Sequence, residues 1–237
     1  MRIRLATGRR ALFGAMLVVC LLASVPLRLV LGMVGLGDLG LTARAVEGPL
    51  WAGRLVEARF GEVALGDAGA RLAFWPLFIG RARLELDGED ARPLHGAVTV
   101  GRHAFGIDDM TASLQTGQLF APLPVTGLDL DDASVRFRDG QCEGAEGRVR
   151  ATLAGEAGGV PLPPVLSGAA RCDAGALLLP LASAAGTETA ALRVHGDGRY
   201  RVEFGLRAVD PAVGARLERA GFVGGAQGYA LAVEGRF

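Results

Sequence analysis

A glycine pattern near the N-terminus is the first candidate for chemistry. Residues 35–40, GLGDLG, match G-x-G-x-x-G, the turn with which dinucleotide-binding proteins approach a pyrophosphate, and Glu57 follows at nearly the distance of the ribose-binding acid. That chemistry requires a strand before the glycines and a helix after them. Here a long apolar run precedes the glycines and strand-like sequence follows them. We therefore interpret residues 35–40 as a spacer and predict no bound cofactor.

Other reactive side chains lack the spacing that catalysis or metal binding needs. Residues 129–132, DLDD, begin like a calcium loop, but Ala133 and Ser134 stand where a ligand and a glycine are required. No serine lies in a G-x-S-x-G elbow. Three histidines stand outside any H-E-x-x-H or C-x-x-C context: His95, His103 and His195. The sequence therefore predicts no catalytic or metal site and a protein that is not an enzyme.

The cysteines offer redox chemistry rather than catalysis. Cys20 lies in the apolar run, while Cys142 and Cys172 lie 30 positions apart in the later sequence. In an oxidising compartment these two can form a disulfide, which typically contributes about 2–4 kcal/mol. The alternative is two unrelated buried thiols. We predict the disulfide on the condition that this part of the chain is exported.

An apolar run at residues 11–31 decides whether the chain is exported. Its length is close to the roughly 20 residues that a helix needs to cross a hydrocarbon core, and 4 arginines precede it in residues 1–10. Basic residues stay on the cytoplasmic side, so the sequence that follows is expected outside. A cleaved signal peptide is the alternative, but its apolar region is usually about 7–15 residues long. Residues 23–26, ASVP, are also a poor cleavage site, so we predict a retained anchor.

The composition bounds what the exported part can be. Basic and acidic residues balance at 25 each and the isoelectric point is near 6.8, which gives no basic surface for nucleic acid. About 200 residues remain beyond the run, enough for one domain with its own core. The predicted organisation is a cytoplasmic leader at 1–10, a transmembrane anchor at 11–31, a glycine-rich linker at 32–41 and a periplasmic β-rich domain at 42–237.

Alternating apolar and charged residues predict strands in that domain. The pattern has the period of two expected of strands with one buried face, and it runs through residues 81–87, 110–115, 133–138 and 199–207. Asp-Gly and Gly-Asp-Gly sequences between such stretches are typical of turns. We predict an all-β fold, in which an N-terminal transmembrane helix is followed by an elongated, curved and mostly antiparallel β-sheet.

One or two short helices interrupt the predicted strands. Residues 210–220, DPAVGARLERA, have a capping Asp210, Pro211 at the first helical position and Gly221 at the end. Residues 116–122 resemble a helical turn that ends at proline. The sequence VPLPPV at 160–165 is interpreted as a linker or an edge connection.

Two tryptophans lead to a family resemblance. Residues 46–55, VEGPLWAGRL, resemble the G-T-[VL]-W-x-G element of the type II secretion system protein N family, with Pro49 in place of the usual Thr. Residues 70–78, ARLAFWPLF, are similar to its second tryptophan element, and GRARL at 80–84 is similar to its glycine-led strand. Cys142 and Cys172 resemble the paired cysteines of many members.

The resemblance also implies which residues maintain the fold. The residues matching the family motifs are assigned structural roles: Gly48, Trp51, Gly53, Trp75 and Gly80. We expect both tryptophan rings to be buried, and an exposed docking aromatic is the alternative.

The implied function is that of an accessory protein without enzymatic activity. The family resemblance implies a single-pass protein of the cell inner membrane, with a periplasmic C-terminal domain, that helps to move folded proteins across the outer membrane. Its expected partners are other type II secretion components and the inner membrane, without nucleic acid. The alternative is a periplasmic lipid-binding groove protein, because a long sheet with one apolar face can form a groove.

Overall fold

The computed structural model describes residues 12–14, 16–17, 20, 24–29, 41–61, 63–88, 93–117, 119–157, 159–207, 211–226 and 228–236. The predicted leader at 1–10, residues 32–40 of the predicted linker and the glycine pattern at 35–40 lie outside these residues. Of the predicted anchor, residues 12–14, 16–17, 20 and 27–29 are helical. Within the described part of the chain, no helix has both the length and the apolar character needed to span a bilayer.

The chain forms strands connected mostly by short turns, as the alternation predicts. The strands are β1 Leu41–Thr42, β2 Ala45–Glu47, β3 Gly53–Phe60, β4 Val63–Leu72, β5 Arg81–Gly88, β6 Leu94–Gly101, β7 Ala104–Gln115, β8 Val125–Arg138, β9 Gln141–Leu153, β10 Glu156–Ala157, β11 Val160–Pro161, β12 Val165–Ala169, β13 Arg171–Asp173, β14 Ala176–Ala182, β15 Glu188–Val194, β16 Arg199–Leu206, β17 Val223–Gly225 and β18 Gly228–Arg236. The two helices with defined bounds are α1 Phe74–Leu77 and α2 Pro211–Arg219.

Most of these strands belong to one antiparallel sheet in which neighbours in sequence are neighbours in space. The order is β1-β3-β4-β5-β6-β7-β8-β9-β12-β14-β15-β16-β18-β17, with β2 on β3 and β13 on β14. A further pairing between Ala64 of β4 and Gln115 of β7 shows that the sheet curls on itself near its first end. The predicted all-β, mostly antiparallel architecture is confirmed.

The β8–β9 hairpin shows how local chemistry sets the strand register. Asp139 and Gly140 form its two-residue loop, with φ angles of 49° and 77°. Left-handed geometry at both positions is that of a type I′ turn, whose twist matches the flanking strands. The pairing then begins at Arg138 with Gln141 and continues to Val125 with Leu153.

Two clusters of buried side chains fill the apolar side of the sheet. The first cluster includes Leu55, Leu84 and Met110 from the first half of the sheet. The second includes Leu166 and Phe204 from the other half. Leu130 of β8 packs against both clusters, so the two cores meet without a domain boundary.

The sequence VPLPPV at 160–165 is a connection within this continuous sheet. Its first two residues form β11, which pairs with β10 in a separate two-stranded hairpin. Val165 begins β12, which pairs with β9 at five positions in the body of the main sheet. The interpretation of this segment as a connection agrees with the structure.

The predicted helix at 210–220 is present and the predicted helical turn at 116–122 is not. Helix α2 ends at Arg219, and Gly221 just beyond it has a φ of 94° and donates its N–H to the Glu218 carbonyl, which prevents the helix from continuing. Its Leu217 is fully buried in the second cluster. The sequence predicts a short helical turn at 116–122, but the described residues there form turns that belong to no helix. Thr116 donates its hydroxyl to the Val125 carbonyl at 2.8 Å, which closes this segment as a loop.

Candidate functional site

The first family-motif residues form one tight turn between β2 and β3. Gly48 has a φ of 81°, and a Cβ there would lie 2.8 Å from the Ala52 carbonyl oxygen. Only glycine fits such a position without strain. A Cβ on Gly53 would overlap the Leu27 side chain, so this glycine leaves the space that Leu27 fills.

The end of the apolar run at 11–31 is fixed to this turn. Leu50 donates its N–H to the Val25 carbonyl at 2.9 Å, and Leu27 donates its N–H to the Gly48 carbonyl at 3.3 Å. Leu27 is fully buried in the first cluster, and Pro26 forms a β-bridge with Pro49. Residues 25–27 are therefore part of the folded domain, and we call this end of the molecule the base.

Trp51 and Trp75 lie at the base, but they are not equally buried. The half-buried Trp51 ring lies 5.7 Å from the Phe74 ring of α1. Trp75 is 80% exposed, and Phe78 and Ile79 are each 69% exposed. The expected burial of Trp75 is wrong, because α1 is a single helical turn that projects between the ends of β4 and β5. We call Phe74, Trp75, Phe78 and Ile79 the apolar patch.

A groove lined by arginines borders the apolar patch. Its volume is about 210 Å³, and Pro76 and Ile79 form part of its wall. Strand pairing places Arg83, Thr99, Gly106 and Arg136 in one row across β5, β6, β7 and β8. The next row has Arg81 on β5 and Arg138 on β8 at its two ends, with Gly101 and Ala104 between them. Small residues on the middle strands thus leave a depression between two pairs of arginines, which we call the arginine groove.

The charges of the arginine groove are only partly neutralised. Arg83 contacts Asp108 at 2.6 Å, and Thr99 donates its hydroxyl to the same carboxylate at 2.8 Å. Arg138 contacts Glu143 at 3.1 Å at the outer end. Arg81 has no carboxylate partner among the described residues. The lining holds four arginines and one carboxylate, so the groove suits an anionic group.

Cys142 and Cys172 lie elsewhere in the sheet, and the predicted disulfide between them is present. Cys142 at the start of β9 is bonded to Cys172 of β13, with the two Cα atoms 5.6 Å apart. The Cys142 N–H also bonds to the Gly175 carbonyl at 2.8 Å. The bond thus fastens β13, which pairs with β14, to β9 as well.

Several of the acidic and histidine residues considered as ligands contact neighbouring side chains instead. Asp129 accepts the Ser113 hydroxyl at 2.6 Å, and Asp131 contacts Arg148 at 3.1 Å. His95 lies 3.7 Å from Asp87 on the surface. No group of three or more potential metal ligands occurs within the described ranges.

Strand β18 has one side that is largely unpaired. It pairs with β16 at eight positions from Tyr229 to Arg236, but with β17 only from Gly228 to Ala230. Within the described part of the chain, positions 231–236 therefore have no strand on their outer side. Glu234 receives a hydrogen bond from Arg201 of β16 at 2.6 Å, and bonds to Glu203 and then to Glu234 raise the pKa of the Arg201 guanidinium.

These features define a β-sheet protein with an exposed apolar patch, a groove lined by arginines and a strand edge that is open within the described residues. The family described as Type II secretion system (T2SS), protein N, matches residues 39–228, and the chain belongs to this family. The predicted resemblance is thereby confirmed, and the membership supports a role in type II secretion.

One protein of known family is similar to part of this chain. The chain is similar to the type II secretion system protein N of Vibrio cholerae serotype O1, with 29% identity over 153 residues, which are 60% of this chain and 60% of that protein. The matched part therefore spans about 60% of the length of this relative. No solved structure matches the chain.

Proposed function

We propose that this protein is a single-pass accessory component of the type II secretion pathway in the inner membrane. Its N-terminus lies in the cytoplasm, its β-sheet domain lies in the periplasm, and it acts by protein–protein interaction rather than by catalysis. The family membership supports the pathway. The Cys142–Cys172 disulfide supports an oxidising compartment for the domain.

The open outer side of β18 is the observation that favours an interaction role. An exposed sheet edge presents unpaired N–H and C=O groups that can bind an extended segment of another protein by strand addition. No residue of β18 is fully buried, so an added strand would meet accessible backbone. The proposed partner is a periplasmic segment of another secretion component.

Site-specific photo-cross-linking tests this assignment. A photoreactive amino acid at the exposed Ala232 of β18 is expected to cross-link a secretion component in intact cells. The matched control places it at Arg150, which is also exposed but lies on β9, whose two sides are both paired. Equal cross-linking at both positions would contradict the edge as the site, and failure to recover any secretion component at either position would contradict the proposed role.

Protease treatment of spheroplasts tests the topology independently. With the inner membrane intact, an added protease is expected to reach the β-sheet domain in the reduced protein. Protection until the membrane is lysed would place the domain in the cytoplasm and overturn the proposal.

The alternative of a lipid-binding groove has less support. Such a groove needs open apolar surface along the sheet, whereas the described apolar side chains on that side pack into two buried clusters. Stoichiometric lipid bound to the purified protein, measured by mass spectrometry, would favour the lipid-binding groove instead.

A further inference from the structure

We propose that the apolar patch and the arginine groove dock onto the surface of the bilayer that the anchor crosses. Trp75, Phe78 and Ile79 then enter the boundary between headgroups and acyl chains, and the arginines bind anionic lipid phosphates. The orientation of this contact rests on the anchor topology given under Proposed function.

The length of the anchor is the first reason. Because residues 25–27 are fixed to the turn at Gly48 and Leu50, at most residues 11–24 of the apolar run can cross the hydrocarbon core. A helix of that length measures about 21 Å at 1.5 Å per residue, against a hydrocarbon core of about 30 Å. A span shorter than the hydrocarbon core is accommodated by local thinning of the bilayer, so an anchor of this length would hold the base against the membrane interface rather than above it.

The position of the apolar patch is the second reason. Trp51 lies within the turn that holds residues 25–27, and its ring lies 5.7 Å from the ring of Phe74. Phe74 in turn lies 5.0 Å from Phe78 and 6.0 Å from Trp75, measured between ring centroids. Aromatic contacts thus run from the turn that holds residues 25–27 to the exposed rings of Trp75 and Phe78.

The chemistry of the two surfaces is the third reason. Tryptophan is enriched at membrane interfaces because its ring is apolar and its N–H is polar. Exposed apolar residues in a contiguous group are unusual on a soluble surface and mark an interaction site. Arginines attract anionic lipid, and Arg81 follows directly after the turn that ends the patch. Apolar and cationic groups side by side match a bilayer of anionic lipid better than the polar surface of a protein partner.

The test measures where the tryptophans lie in a membrane. The full chain is reconstituted into vesicles of phosphatidylethanolamine and phosphatidylglycerol that carry a quencher at a shallow or a deep acyl position. The chain has 2 tryptophans, and both lie at the base. The unmodified protein reports the fluorescence of both, whereas the Trp51→Phe variant reports the fluorescence of Trp75 alone. We expect stronger quenching of Trp75 by the shallow lipid label than by the deep one, and weak quenching by aqueous iodide.

Two results would overturn the proposal. Quenching of Trp75 by iodide but not by lipid would leave the patch in water. Shielding of Trp75 from both quenchers would mean that protein covers it, either a second copy or another component. Alkaline extraction of the same vesicles separately reports the anchor: a chain that is extracted, yet shows lipid quenching at neutral pH, would contradict the anchor and support the docking.

Charge substitutions test the role of the arginine groove. Arg81→Gln is expected to lower the ratio of docked to undocked protein about fivefold in vesicles with phosphatidylglycerol, as for the loss of one cation near an anionic surface. The control Arg171→Gln removes an exposed arginine from β13, away from the groove. Equal effects of the two substitutions would contradict specific binding of lipid phosphate in the groove.

Discussion

Replacement of Gly168 by alanine tests how the middle of the sheet is assembled. Strand β14 pairs with β13 up to Leu178 and with β12 at Ala182. Pro180 lies between these two ladders and directs its carbonyl oxygen toward Gly168. The N–H and C=O of one strand residue point to the same side of the strand. Proline has no N–H, and at Pro180 this missing donor faces the gap between the pairing with β13 and the pairing with β12. The proline therefore removes no hydrogen bond from the sheet.

The expected cost follows from what a Cβ at position 168 would meet. It would overlap the Pro180 carbonyl oxygen and lie 2.9 Å from its carbonyl carbon, whereas favourable contacts begin at about 3.5 Å. The obstacle is backbone and cannot rotate away, so β12 and β14 must separate. Overpacking costs about 1–3 kcal/mol, and a weakened hydrogen bond at Ser167 and Ala182 about 1 kcal/mol more. We expect Gly168→Ala to lower the free energy of unfolding by about 2–4 kcal/mol.

Gly144→Ala on β9 is the matched control. A Cβ there has no neighbour within 4 Å and the φ angle is not positive, so the change should lie within about 0.5 kcal/mol of zero. The assay is urea unfolding of the full chain in a non-denaturing detergent, followed by circular dichroism of the β signal. If the two variants lost the same stability, or if Gly168→Ala lost less than about 0.5 kcal/mol, the close approach of β12 and β14 would be refuted.

Three further predictions concern the second half of the sheet. Reducing the Cys142–Cys172 bond, which spans 30 positions, should lower the free energy of unfolding by about 3.5 kcal/mol, and urea curves with and without reductant measure it; no shift would show that the bond constrains nothing. Leu217→Ala should cost about 2.7–5 kcal/mol because the side chain is fully buried, and a loss below about 1 kcal/mol would place α2 off the core. Bonds from Arg199, the backbone N–H first, lower the pKa of Asp197 below its ordinary value. The stability that Asp197 contributes is therefore fully present above its pKa in the unfolded chain and is lost as pH falls through its pKa in the folded protein. An NMR titration of Asp197 with a midpoint at or above about 3.9 would contradict this.

Local sequence chemistry predicts the parts of the fold that depend on neighbouring residues. Alternation in RYRVEFGL predicts β16, whose residues are alternately exposed and buried until near its end. Asp139 and Gly140 predict the turn of the β8–β9 hairpin, and Pro211 and Gly221 bound α2. In each case the deciding interactions are steric or lie within a few residues of one another.

Exposure of Trp75 could not be predicted in the same way. FWPLFI at 74–79 is as apolar as any core segment of this chain, and its burial depends on whether another element covers it. That covering is decided by the curl of the sheet, which brings β4 to β7 at Ala64 and Gln115 but leaves α1 outside. The alternation did place Arg81 and Arg83 on one face, and likewise Arg136 and Arg138. Their meeting across two strands of small residues depends on a register that no single strand specifies.

The order of the strands has a consequence for how the two proposed surfaces operate together. Eleven steps between neighbouring strands separate β3 at the base from β18 at the open edge, which is about 53 Å along the sheet at 4.8 Å per step. The curl shortens the direct distance, but the base packs on the first cluster and β18 packs on the second, and Leu130 contacts both. Changes at the apolar patch should therefore leave cross-linking at Ala232 intact, and changes in β18 should leave Trp75 in the membrane interface. A base fixed to the bilayer would then hold the free edge of β18 out in the periplasm, where an extended segment of another protein can reach it.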